Sequence, residues 1–595
     1  MLDALALAKL LSLLLVCSLG PGLLTARRLR WAPKETFCAT LAFSFIWVYG
    51  VGFAIAAFSL PRYSYFIVSF FCAAALVFCR RDLARLLNDP TVRLFLAAFL
   101  LCFSWTVLHT SLIRSLSGWT WSGDWEEHYR RSRFFLEALP QGILNPFGFA
   151  VPARPPFMNV VTAFFMAQVD ISFEIYQLSS LFLNTMVFFP IMLIVTVESI
   201  RFRKTLPVLL LLVLLNPMIL QNVTYPWTRS FTNFYILLAI AFYLLGRKHA
   251  DKGYMPVAFL FMTAGVLSHY CAAPFAVFLG LHYLWAVLPH RATARYKELG
   301  AIVGFSTLLA ATWFGWSIMH YGLLPTLTTN TTVAGGMRPL AIASNFFATI
   351  VPHPFRVSPR VIDAWTATKG SLSYIREYFF AMYQTNIYMA VGTISGAVVI
   401  WRGARFLRHS DRETRPDAWF WAGLFAFSFS LGIIVTPGLD PYGFAHICGQ
   451  PLVILALIFL STELLRLGWR LQTAIAAGLA LDYILGAFIH FRLQNRVYPE
   501  DPAQLFSHIL SSTGTVSFHA NLNWVQKRAG AYLFFGDRFG AIAPLISLAL
   551  LLSACFACIA MLRLLFSLRK RDSSVVATPL PLSPCFGPLN QTPRV

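Results

Sequence analysis

Runs of about 20 apolar residues, the length a helix needs to cross a bilayer, recur along nearly the whole of this chain. The first is Ala4 to about Leu24, the next two about Thr36 to Ser59 and Tyr63 to Cys79, and the fourth about Leu94 to Leu112. A backbone in lipid finds no water to bond, so each run must close its own hydrogen bonds as a helix. Only 12% of the 595 residues are charged and 57% are hydrophobic, with a mean hydropathy of +0.65. A soluble domain carries roughly 25% charged residues. The chain therefore reads as an all-α, polytopic integral membrane protein of about 15 transmembrane helices.

The net charge of +22 could suggest a nucleic-acid partner, but its distribution argues against one. The excess lies in short clusters between apolar runs, which is the positive-inside pattern. Such clusters stand at Arg27–Lys34, Arg80–Arg85, Arg201–Lys204, Arg247–Lys248, Arg291–Lys297, Arg402–Arg415, Arg466–Arg470 and Arg569–Arg571. Placing them all in the cytoplasm puts the loops near 114–174, 221–229, 269–270, 320–377, 437–447 and 491–539 outside. The first helix is read as retained, with Lys9 reaching back to the interface. The apolar stretch Pro155–Phe165 is too short to cross and reads as a helix lying at the interface. Counting it as a crossing would put Arg201–Lys204 on the wrong side. The ten cysteines lie mostly in apolar runs, Cys72, Cys79 and Cys102 among them, which is not a disulfide framework. The Cys555–Cys558 pair falls inside a span and reads as packing. Four regions result: N-terminal helices over 1–92, a core over 93–400 whose outer loop is 113–174, a C-terminal helical region over 401–572, and a disordered cytoplasmic tail over 573–595.

Charge is densest in Ser122–Phe135. This stretch holds Asp124, Glu126, Glu127, His128, Arg130, Arg131 and Arg133 just after the fourth span. As a helix it sets Asp124, His128 and Arg131 on one face, with Glu127 between them. Phe134 and Phe135 would lay its end on the membrane surface. The carboxylates could take a proton from an attacking hydroxyl, and Asp124 with His128 at i, i+4 could share a divalent metal. The bland alternative is a solvated interfacial helix whose charges pair. Arg130, Arg131 and Arg154 match phosphate oxygens bidentately or else anchor the chain to lipid headgroups. Tyr225, Trp227 and Arg229, the His269–Tyr270 turn, and Asp440 with Tyr442 lie in other outer loops. They are candidate walls of a substrate site, or belt aromatics and turn residues.

The pattern Gly123-Asp124-Trp125-Glu126-Glu127-His128, then Arg154-Pro155-Pro156-Phe157, then a span ending at Arg201-Phe202-Arg203-Lys204 resembles the GT-C superfamily of polytopic glycosyltransferases. Its relatives include protein O-mannosyltransferases and the aminoarabinose transferase of lipid A. The resemblance covers residues 93 to 400. It departs from the family in its Asp-Trp-Glu-Glu motif, where an adjacent Asp-Glu pair is usual, and in the three spans that precede the core. It implies transfer of a sugar from a polyprenyl-phosphate donor to an extracytoplasmic glycan, lipid or protein, from an active site on the outer face of a bacterial inner membrane. Asp124 would be the base, assisted by Glu126 or Glu127, with arginines on the donor phosphate. Two rival readings remain. A transporter or lipid flippase would need ionisable residues inside the spans, where Asp482 and Glu463 are the main candidates. A surface-polysaccharide polymerase or ligase of another fold would use arginines such as Arg338, Arg356 and Arg360.

Overall fold

The computed structural model describes residues 4–112, 124–137, 139–145, 150–198, 202–250, 252–290, 295–329, 339–352, 375, 378–379, 382–408, 415–435, 445–489 and 543–575. Among the described residues there is no β-strand, only one isolated bridge between Leu144 and Ala150. Nine helices among them are long and apolar enough to cross a membrane, or up to 11 if each of two sharply bent pairs is one span. The protein is an all-α, multi-pass membrane protein.

The chain opens with α1 (Ala4–Ala26), α2 (Pro33–Ala57), α3 (Tyr63–Phe78), α4 (Arg80–Asn88) and α5 (Pro90–Thr110). The Asp89 side chain caps α5 by accepting from the Thr91 and Val92 N–H groups, with Pro90 in the first turn where no donor is needed. Helices α1 and α2 lie close at Gly22, where a Cβ would fall 1.9 Å from the Thr40 carbonyl oxygen. Without a hydrophobic force between helices in lipid, such close backbone approach is what holds them. Next come α6 (Asp124–Glu137), α7 (Phe157–Gln168), α8 (Phe173–Thr185) and α9 (Phe188–Glu198), then α10 (Phe202–Leu214), α11 (Pro217–Thr224), α12 (Arg229–Lys248) and α13 (Tyr254–Ser268). Helix α12 is the axis of the bundle. Its apolar window is wholly buried although its hydropathy, 1.3, is the lowest of the nine. Arg229 and Asn233 lower that value, and both are buried, so the polar residues of α12 point into protein and not into lipid.

The N-terminal helices are built into this same core. Tyr49 stacks on Phe157 with ring centroids 4.4 Å apart, and the Tyr235 hydroxyl donates to the Ala42 carbonyl at 3.0 Å. Helix α7 is indeed no crossing, since 12 residues reach only about 18 Å. It does not lie on lipid, however. Every residue of it is buried, against α2, α6 and α8, with its polar Asn159 and Thr162 bonded to α6.

The remaining described helices are α14 (Ala273–His282), α15 (Arg295–Tyr321), α16 (Leu323–Thr328), α17 (Pro339–Ile350), α18 (Ile387–Val391), α19 (Thr393–Arg408), α20 (Arg415–Val435), α21 (Ala445–Leu464), α22 (Trp469–Ala487) and α23 (Ala543–Val575). Helix α23 returns to α5, where the Ser104 and Ser553 hydroxyls bond at 3.0 Å. Two breaks interrupt helices inside the bundle. Helices α10 and α11 meet at a 68° bend, with Asn216 capping α11 through the Ile219 N–H. Helices α18 and α19 are separated by Gly392 at φ +117, a conformation a side chain rarely adopts. Asp482 of α22 accepts the Thr393 N–H at 2.9 Å and so caps α19.

Asn222, in the triplet Asn222-Val223-Thr224, is buried on α11 and donates to the Met218 carbonyl and to Gln384. No sugar can be attached to it in this fold. Asp440, Tyr442, Arg338, Arg356 and Arg360 lie outside the described residues.

The basic clusters predict the sidedness, and the expectation has a direct measurement. In intact cells, with accessible native thiols removed, Ser122→Cys is expected to react with a membrane-impermeant thiol reagent and Ser410→Cys not to. The reverse pattern would overturn the assigned orientation.

Candidate functional site

Helix α6 begins at Asp124 and runs to Glu137, as the spacing of its charges predicts. It packs on α7. Phe134 and Phe135 are buried rather than set on the membrane surface; Phe135 meets Phe53 and Trp313. The Phe135 ring buries its apolar surface against α2 and α15, with Phe134 edge-on to it.

The buried face of α6 carries Glu127, His128 and Arg131. The Glu127 carboxylate accepts from Arg131 Nε at 2.7 Å and lies 3.2 Å from an Arg154 nitrogen. The other Arg131 nitrogens donate to the carbonyls of Val151 at 3.1 Å and Ala150 at 2.8 Å. Arg131 therefore clamps the loop before α7 onto α6, which is a different use from the donor-phosphate role expected of it. His128 Nε2 is 3.4 Å from Arg154, and Asn159 of α7 donates to the His128 carbonyl at 2.9 Å. Ser132 bonds both the His128 carbonyl and Thr162.

Charge on these groups is set by burial and by the guanidinium groups. Burial pushes the Glu127 carboxyl up, but Arg154 and Arg131 outweigh it and hold it at about 2. Burial, then Arg154, press the His128 imidazole down to about 3, so it is neutral at pH 7. His269 is likewise driven well down by burial and by Arg154, Arg229 and His128. Its Nδ1 accepts the Cys271 N–H at 3.1 Å, which leaves the proton on Nε2.

Arg154, Arg229, His128 and Glu127 thus all bear on His269, while Tyr270 bears on Arg131. The turn after α13, the start of α12 and the α6–α7 unit converge on one place. The Tyr225–Arg229 segment is fixed there from α8. Asn184 donates to the carbonyls of Tyr225 and Trp227 and accepts the Phe231 N–H; Tyr176 donates to the Pro226 carbonyl at 2.7 Å. Tyr225 and Trp227 are fully buried, and the Arg229 guanidinium lies 3.7 Å over the Trp227 ring, a cation–π contact. Asp124 and Glu126 sit in the first turn of α6, their side chains outside the described set, and Arg130 is buried farther along it.

Asn159, Asn184 and Tyr176 are supports that the sequence reading missed. The available signal was a lone amide in an apolar run. Among the described residues, no three His, Cys, Asp or Glu come together as a metal site would need. Comparison with known proteins adds nothing further: no family model, curated protein or solved structure matches the chain.

These shifts set a pH dependence of stability. The native Glu127 carboxyl has a pKa below its unfolded value, so its contribution is complete above about pH 4.5 and is lost as pH falls toward 2. The buried neutral His128 must charge on unfolding in acid, so below about pH 6.5 the unfolded chain takes the extra proton. Thermal stability in detergent is expected to be level near neutrality. It should then fall below pH 6.5 by about 1.4 kcal/mol per pH unit from each of His128 and His269, and more steeply below 4.5. In His128→Gln the upper part of that fall should become shallower by the His128 share, about 1.4 kcal/mol per pH unit, with the His269 share remaining.

Proposed function

We propose that this protein is a membrane glycosyltransferase that moves a sugar from a polyprenyl-phosphate donor to an acceptor hydroxyl at the outer face of the bilayer. One observation carries the reading. Arg154, Arg229, His128 and Glu127 gather around His269, beside the acidic first turn of α6. Fixed cations in a partly dry setting stabilise a departing phosphate far better than water-exposed ones. Arg229 and Arg154 are the phosphate ligands of this reading, since Arg131 is committed to Glu127 and to two carbonyls. The acceptor oxygen attacks the anomeric carbon and Asp124 takes its proton. The bond to the phosphate oxygen breaks, and the polyprenyl phosphate leaves with the electron pair. A single displacement inverts the anomeric centre.

The test is purified protein in lipid nanodiscs, supplied with radiolabelled polyprenyl-phosphate hexoses and pentoses and an extract of envelope acceptors. Transfer or release of label from one donor supports the reading. No turnover of any donor by folded protein removes it.

The two interrupted helix pairs favour a second reading, because transporters build midplane sites from such breaks. The ionisable residue at the break is Asp482, and both its oxygens are taken, by the Thr393 N–H and hydroxyl and by Tyr383. Glu463 is held by Arg402 and Arg466. A carboxylate so engaged serves as a cap or a clamp, which leaves the enzyme reading ahead.

A further inference from the structure

One cluster in the bundle has no part in the chemistry above. Five carboxamides from four segments meet between the two helix breaks: Gln221 and Asn222 on α11, Asn233 on α12, Gln384 just before α18, and Gln450 on α21. All five are at most 2% exposed. Asn222 donates to Gln384 at 3.1 Å; Gln450 donates to Asn222 at 3.1 Å and to Gln384 at 3.3 Å. Asn233 donates to Gln450 at 3.2 Å, and Gln384 to Gln221 at 2.5 Å.

If the cluster were only glue between helices, each amide would be satisfied on both ends. Two are not. Gln221 Nε2, a donor, and Asn233 Oδ1, an acceptor, are buried without a partner among the described residues. Such groups are rare in folded proteins and each needs a cause. A neutral hydroxyl can accept from the one kind of group and donate to the other. Several carboxamides side by side, none of them charged, suit a ligand that presents several neutral hydroxyls. A metal cation or a phosphate would demand charge that the five amides do not supply.

The cluster also adjoins the arginine wall. Trp227, which lies under Arg229, donates its indole N–H to the Asn222 carbonyl at 3.3 Å. On α12, Arg229 and Asn233 are four residues apart and so on one face, about 6 Å along the axis, the scale of one hexose ring. We propose that Gln221, Asn222, Asn233, Gln384 and Gln450 form the sugar subsite, taking the hydroxyls of the sugar whose phosphate is held at Arg229. This rests on the glycosyltransferase reading. Entry of the sugar exchanges amide–amide bonds for amide–hydroxyl bonds, and glutamine side chains have the torsional freedom to make that exchange.

The experiment measures binding to the full chain in nanodiscs. The probes are sugar-free undecaprenyl phosphate and undecaprenyl-phosphate mannose, glucose and aminoarabinose. The expected result is one sugar-bearing lipid bound roughly 10-fold more tightly than the sugar-free one, the worth of one or two retained hydrogen bonds. Asn233→Leu and Gln450→Met should erase that margin and leave the sugar-free lipid bound as before. A margin that persists in both variants, or is absent for every sugar in the wild type, overturns the proposal. Should either variant fail to fold, monodeoxy donors on the wild-type protein replace it. At least one missing hydroxyl must then cost roughly 10-fold, and no loss from any overturns the subsite. If no polyprenyl phosphate binds at all, the donor reading fails. The subsite then stands only if millimolar methyl glycosides bind the wild type and not Asn233→Leu.

Discussion

Glu127→Gln is expected to cost about 3–5 kcal/mol of stability, the usual penalty for removing one partner of a buried ion pair. The Glu127 side chain is 12% exposed, Arg131 4% and Arg154 24%. Two guanidinium groups would lose their counter-charge together, one of them almost fully dry. The measurement is the monodisperse fraction after extraction and mild heating. Activity per folded molecule is a separate reading. If Glu127 were the base, the variant would fold normally and lose only turnover. A charge-compensated double variant, Glu127→Gln with Arg154→Gln, should recover part of the loss, because residues in one ion-pair network are not additive. Arg131→Ala should resemble Glu127→Gln, since it frees the 150–151 carbonyls as well as Glu127. If all three variants leave stability unchanged, the structural role described for the Glu127–Arg131–Arg154 ion pairs is wrong.

The charged stretch is legible in the sequence because charge beside lipid is costly and therefore placed. Its helix, the facing of Glu127, His128 and Arg131, and the nearness of Arg154, Arg229 and His269 all agree with spacing and loop position. What each charge does is not legible. Sequence shows that Arg130, Arg131 and Arg154 are near one another, but not that Arg131 is occupied by two carbonyls from a loop 19 and 20 residues away. The length of α7 shows that it cannot cross, yet its burial depends on α2 and α8 closing over it. The carboxamides are invisible for another reason. Gln221, Asn233, Gln384 and Gln450 come from segments up to 229 positions apart, from Gln221 to Gln450, and each alone is one tolerated polar residue in an apolar run.

Asp124→Asn is expected to reduce sugar transfer by at least ~100-fold, since general base catalysis contributes 10²–10⁴-fold. Asp124 is the base that the resemblance to the GT-C superfamily implies, and its described neighbours do not compete for that role. Glu127 is held at about 2 and His128 at about 3, and groups that bind protons so weakly make poor bases at neutral pH. His269 is pushed down as well. Asp124 and Glu126 remain, in the first turn of α6. Asp124 lies three and four residues before Glu127 and His128, on their face of the helix. Glu126 is rotated away from that face, so Glu126→Gln should cost much less. Asparagine preserves the shape of Asp124 and gives up only a favourable first-turn charge, worth about 0.3–1 kcal/mol, so the protein should fold and insert normally. If the stretch is only an interfacial anchor, the result differs. Asp124→Asn, Glu126→Gln, Glu127→Gln and Arg131→Ala would then lower yield together and leave specific activity untouched. Full transfer by purified Asp124→Asn would refute Asp124 as the base, even with the structural role of Glu127 confirmed.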